Sequence, residues 1–165
     1  MAEKLHIQSP NDGVSKKALA ATLAAALLGW MFDGFEMGLF PLVARPALLE
    51  LMGPEASKNI GTWIAIIISG FLLGAAAGGI MFGWLGDRIG RVKVLAVATY
   101  AIFSGLCAFV QAPWQLAALR LLASLGMGGE WSLGVALVME TWPAGKRVLL
   151  AGLIGAAANV GFLMI

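Results

Sequence analysis

Apolar residues run through this chain in long unbroken stretches separated by short polar links. Ala18 to Ala44 is one stretch, interrupted only by Asp33 and Glu36, and Ile60 to Gly86 is a second with no charge. Val94 to Val110 is a third, closed by Gln111-Ala112-Pro113, where a polar residue precedes a helix-breaking proline. Trp114 to Met139 is a fourth, carrying Arg120 and Glu130, and Val148 to Ile165 is a fifth. A helix needs about 20 mostly apolar residues to cross a bilayer. No strand-period alternation is long enough to suggest a barrel. The pattern therefore predicts an all-α membrane protein. Residues 1–17 form a cytoplasmic N-terminal tail, and 18–165 a bundle of five transmembrane helices over about 18–44, 60–86, 94–110, 114–139 and 148–165.

Composition agrees with the pattern. Of 165 residues, 60% are hydrophobic and 12% charged, against about 45–50% and 25% in an average soluble domain. That excludes a disordered chain, a nucleic-acid binder and a water-soluble enzyme. A net charge of +2 suggests no polyanionic partner, and the single cysteine, Cys107, permits no intrachain disulfide. The basic residues set an orientation. Lys4, Lys16 and Lys17 precede the first span, Arg88, Arg91 and Lys93 lie between the second and third, and Lys146 and Arg147 between the fourth and fifth. These links share one side, expected to be cytoplasmic, while Arg45 and Lys58 lie opposite. Trp63, Trp84, Trp114 and Trp142 sit at span ends, as an interfacial belt does, but Trp30 and Trp131 are mid-span. Lys16-Lys17 before an Ala/Leu run resembles a secretory leader, yet the run continues to Ala44, so an uncleaved first helix is expected.

Charges at membrane depth cost about 2.5–3.5 kcal/mol each on insertion scales and mark function by default. Asp33, Glu36, Arg120 and Glu130 qualify. Asp33 and Glu36, three residues apart, share a helical face, and Arg120 is the natural counter-charge. By helical rise, Arg120 lies about 9 Å and Glu36 about 12 Å below the outer ends of their spans, so the two can meet. Glu130 is about 24 Å down and about 80° off the stripe of Arg120, so it need not share that face. A carboxylate paired with an arginine stays ionised, and one separated from it in a dry site takes up a proton. Asp33, Glu36 and Arg120 are therefore candidates for proton coupling, although a buried pair can also serve only to hold helices in register. Glycines recur at Gly70, Gly74 and Gly78, with Gly79 and Gly83 on a neighbouring stripe. Ser124 and Gly128 repeat the spacing in the fourth span, and Gly152, Gly155 and Gly161 weight the fifth. Such spacing lets helix backbones approach closely.

Between the second and third spans the chain reads Gly83-Trp84-Leu85-Gly86-Asp87-Arg88-Ile89-Gly90-Arg91-Val92-Lys93-Val94-Leu95. On physical grounds this is a tight basic turn with one acid. Its order resembles the signature loop of the major facilitator superfamily, with Gly86 in place of the usual Ala and Val92 in place of a basic residue. Arg120-x-x-x-Ser124-x-Gly126-x-Gly128 resembles that superfamily's fourth-span motif, with Ser124 departing from Gly. Glu140-x-x-Pro143-x-x-x-Arg147 is similar to the following loop of sugar-porter-like members. Asp33-Gly34-Phe35-Glu36 resembles the D-G-x-D element of aromatic-acid and sialate proton symporters, and the segment around Glu130-Trp131 resembles the sialate-symporter-like branch.

The resemblance implies the N-terminal part of a twelve-helix secondary transporter, in the lipid bilayer of a bacterial inner membrane, moving a small polar metabolite (organic acid, sugar acid or sugar) with protons by alternating access. It implies a cytoplasmic gate of Gly83, Asp87, Arg88, Gly90, Arg91, Glu140 and Arg147. It places Glu130, Trp30, Trp131 and Asn159 at a substrate cavity. The C-terminal half of the same transporter would be the missing partner, and a truncated reading frame is expected because the fifth span runs to Ile165 with no polar flank. No cofactor, metal or nucleic acid is implied. The alternative is a non-transporting membrane scaffold or small membrane subunit assembling through the glycine stripes. An enzyme is not expected. Asp33-Gly34 resembles the start of a lipid phosphotransferase motif, but the following Ala-Arg and the later paired aspartates are missing, and His6 lies in the tail rather than in a span.

Overall fold

A computed structural model describes residues 15–53, 58–89 and 93–165. The described residues form five α-helices: α1 (Lys16–Met52), α2 (Ile60–Ile89), α3 (Lys93–Leu106), α4 (Pro113–Thr141) and α5 (Ala144–Leu163). Most of the expected N-terminal tail lies outside the described residues. Among the described residues four helices, α1, α2, α4 and α5, are long and apolar enough to cross a membrane. The shorter α3 continues into a 3-10 turn over Cys107–Phe109. A 3-10 turn rises about 2 Å per residue, so the pair reaches about 27 Å, close to the thickness of a bilayer core.

Local chemistry sets the helix ends. The Ser15 hydroxyl accepts from the Ala18 N–H at 3.2 Å and starts α1. Gly53, with φ 77°, stops it and donates its N–H to the Leu49 carbonyl at 2.9 Å. Between those caps α1 runs 37 residues, about 56 Å, through Pro41 and Pro46. The apolar stretch alone suggests an end at Ala44. The helix continues because Leu48, fully buried, packs with Ile60, Ile67 and Leu116, while Arg45 and Pro46 stay exposed. Pro113 opens α4 from an extended Ala112, where its missing N–H costs nothing. Pro143 holds Trp142 extended and so separates α4 from α5.

Among the described residues α4 is the central helix, packed against each of the other four. Its contact with α2 is backbone to backbone. A Cβ on Gly78 would strike the Leu125 main chain, one on Gly128 the Ala75 main chain, and one on Gly74 the Ser124 hydroxyl and the Leu121 carbonyl. Ser124 fills the remaining space and donates to the Leu121 carbonyl at 2.7 Å. Gly126 brings α3 equally close at Ala96 and Tyr100. The second intimate contact joins α1 to α5, where Gly34 meets the Ala158 main chain and Gly161 meets Met31 and Phe35. Gly152 and Gly155 face open space instead. Apolar clusters fill both ends. Ala26, Val138, Leu150 and Ile154 join α1, α4 and α5 near one end, and the Leu48 cluster joins α1, α2 and α4 near the other.

Candidate functional site

Glu36 on α1 and Arg120 on α4 form an ion pair within the bundle, with Nη1 of the arginine donating to Oε1 of the glutamate. Their side chains are 24% and 7% exposed, so the charges are largely withdrawn from solvent and their attraction is weakly screened. The guanidinium also lies over two rings, Phe40 of α1 and Phe71 of α2. Asp33, one turn before Glu36 on the same face, is 3% exposed, and its Oδ2 is buried without a hydrogen-bond partner. Next to it, Gly34 lets α5 press against α1. Of the candidate coupling residues, the structure joins Glu36 to Arg120 and leaves Asp33 buried beside that pair.

Glu130 also turns toward α1. Its Oε1 stands 2.8 Å from where a Cβ on Gly29 would be, and its charge acts on Asp33. Gly29 precedes Glu36 by seven residues, so it occupies the same face of α1 two turns away. The angular offset from Arg120 along α4 thus does not keep Glu130 off the α1–α4 seam. Beside it, the rings of Trp30 and Trp131 meet at 5.8 Å between centroids, tilted by 35°.

This seam opens on a groove of about 480 Å³ walled by α1, α2 and α4, with Trp30, Trp131, Leu72, Ala76, Met127 and Ser132 among its lining. A smaller recess of about 110 Å³, lined by Phe40, Ile68 and Arg120, shares Met37, Phe71 and Leu72 with it. The tryptophan pair thus stands along the groove and the arginine at the recess. Asn159 does not join them. It is exposed on α5, a helix that packs on α1 through Gly34 and Gly161 and adds no wall to the groove.

The described candidate gate residues lie in the last turns of α2, at the end of α4 and at the start of α5. Asp87 and Arg88 are exposed in the last turn of α2, and the Arg88 guanidinium lies 4.3 Å from the Trp84 ring centroid. Gly83 faces Ser132 of α4 at ordinary contact distance. Gly90 and Arg91 lie outside the described residues. Glu140 is exposed at the end of α4, whereas Arg147 turns its Nε to the Trp142 carbonyl at 2.8 Å. In the Glu140-x-x-Pro143-x-x-x-Arg147 segment, then, the proline breaks the helix and the arginine caps the break. Sequence reasoning overlooks Phe40, Phe71 and Gly29. Only Phe40 carries a signal, its spacing of four from Glu36.

Comparison with known proteins adds to this geometry. The family model described as Major Facilitator Superfamily matches residues 19–165. A Haemophilus influenzae protein named for metabolite transport is 39% identical over 145 residues, 86% of this chain and 34% of the relative. A gallate transporter of Pseudomonas putida is 30% identical over 156 residues, 91% of this chain and 33% of its own. The niacin transporter NiaP of Acinetobacter baylyi is 32% identical over 139 residues, 83% of this chain and 30% of its own. The chain thus spans about a third of the length of the curated relatives it matches. No solved structure matches it. A family match covering all five helices and the seam between α1 and α4 leaves one assignment: the chain belongs to the major facilitator superfamily.

Proposed function

We propose that this chain is part of a secondary active transporter that carries a small organic acid, sugar acid or sugar together with protons by alternating access. The observation that carries the reading is the Glu36–Arg120 pair, buried between α1 and α4 and reaching the recess that adjoins the groove. A buried pair costs much of its attraction in desolvation, so a modest change in its surroundings can open it. Once Arg120 is drawn away, a carboxylate in so dry a place takes a proton. Substrate arriving in the groove and proton arriving at Glu36 or Asp33 then become linked events, which is what symport requires. The names of the gallate and niacin transporters favour an organic acid within this class.

A second helical bundle, the C-terminal half of the same transporter, would face the groove across the wall of α1, α2 and α4, since transporters built from repeats hold substrate between bundles. Asp87, Arg88, Gly90, Arg91, Glu140 and Arg147 would latch the two bundles at the end rich in basic residues. That end would be cytoplasmic, in a bacterial inner membrane, because basic residues concentrate there and the relatives are bacterial.

The test is proton-driven accumulation of a radiolabelled organic acid by a full-length transporter carrying these 165 residues. Glu36→Gln or Arg120→Ala should cut accumulation about 5- to 150-fold, the range of a typical coupling free energy. Exchange of labelled for unlabelled substrate, which needs no net proton flow, should survive Glu36→Gln. Undiminished proton-driven accumulation in both variants would overturn the proposal.

A further inference from the structure

Glu36 does not hold Arg120 alone. The guanidinium carbon lies 4.3 Å from the ring centroid of Phe40 on α1 and 4.7 Å from that of Phe71 on α2. Arg120 Nε and Glu36 Oε2 are buried without hydrogen-bond partners, so the polar side of the contact is incomplete. Among the residues lining the recess in front of the arginine, Arg120 alone is charged. Other ionisable groups lie near the pair: Asp33 on α1, with Glu130 of α4 next to Asp33 rather than to the pair, and Tyr100 and Cys107 on α3 and its 3-10 extension. From α2 the neighbour is the Phe71 ring.

We propose that Phe40 and Phe71 are positioning residues that keep Arg120 in place, still charged, whenever Glu36 loses its charge. An aromatic face attracts a cation through the ring quadrupole, and the attraction grows as water is withdrawn. It takes no proton and forms no directional bond, so it persists while the carboxylate partner changes state. The rings therefore matter most when the ion pair is broken. Without them a guanidinium facing a neutral Glu36 would have only Met37, Pro41, Ile68 and Leu72 beside it in the recess, apolar side chains that do little to offset a buried charge. This rests on the reading that Glu36 is neutralised during the transport cycle, but its test needs no transport.

The test is a double-mutant cycle on a full-length transporter carrying these 165 residues, in lipid nanodiscs, read as the midpoint of thermal unfolding. Phe71→Leu should lower the midpoint about twice as much in a Glu36→Gln background as in the native sequence, because interacting sites are non-additive. Phe71→Trp, which keeps a ring face, should remove that excess. Equal losses in the two backgrounds would mean that Phe71 only fills space, and would overturn the proposal. If Phe71→Leu fails to fold, pentafluorophenylalanine at position 71 keeps the shape and reverses the ring quadrupole. The excess loss should then return, and additivity would again overturn the cage. The uptake assay on Glu36→Gln reports separately on coupling, so failure of that reading and failure of the cage are distinguishable.

Discussion

A glycine in a helix normally weakens it, and Ala in its place gains about 0.5–1 kcal/mol. Gly29 and Gly34 depart from that expectation in opposite ways. At Gly29 an added Cβ meets the end of the Glu130 side chain, which can swing aside, so Gly29→Ala should leave thermal stability within about 1 kcal/mol of the native chain. At Gly34 the same Cβ meets the Ala158 main chain, which cannot give way, so Gly34→Ala should cost about 1–3 kcal/mol by the same measurement. The residues legible from sequence were those that stand out from their surroundings. Asp33, Glu36 and Arg120 are charges in apolar runs, and helical rise was enough to bring Glu36 and Arg120 to one depth. Phe71 was invisible because one more apolar side chain in an apolar helix offers no contrast. Glu130 was visible as a charge, but the neighbour it reaches, Gly29, follows from how α1 packs on α4.

At the scale of elements, spacing showed that backbones could approach but not where. The Gly74 and Gly78 stripe does meet α4, while in α5 only Gly161 is pressed against a neighbour and Gly152 faces open space. Gly78→Ile or Gly128→Ile should therefore separate α2 from α4 and expose both to protease, whereas Gly152→Ile in the same chain should leave digestion unchanged. Protection of Gly78→Ile at the native level would refute the close contact. Helix existence followed readily from long apolar stretches. The ends did not, because Leu48 draws α1 on past Ala44 through a contact made with residues far along the chain. The fold itself was the most accessible feature, since a chain this apolar can satisfy its main chain in a bilayer only as helices or a closed barrel.

For the molecule as a whole, the proposed orientation can be checked directly. In a Cys107→Ala background, cysteine at Lys58 should react with an impermeant thiol reagent added outside intact cells, and cysteine at Arg88 only after lysis. The reverse labelling would invert the topology and place the Asp87–Arg88 end outside. Between those ends runs α1, and its two internal prolines affect its mechanics. Pro41 has no N–H to offer the Met37 carbonyl one turn back, and Pro46 leaves the Leu42 carbonyl in the same condition. The helix is thus missing two of its ladder bonds in a short interval just beyond Glu36, beside a groove that Met37 helps to line. Bending is cheapest where such bonds are absent. Bending of α1 therefore costs least around Pro41, between the ion pair at Glu36 and the last turns that Leu48 seats against α2 and α4.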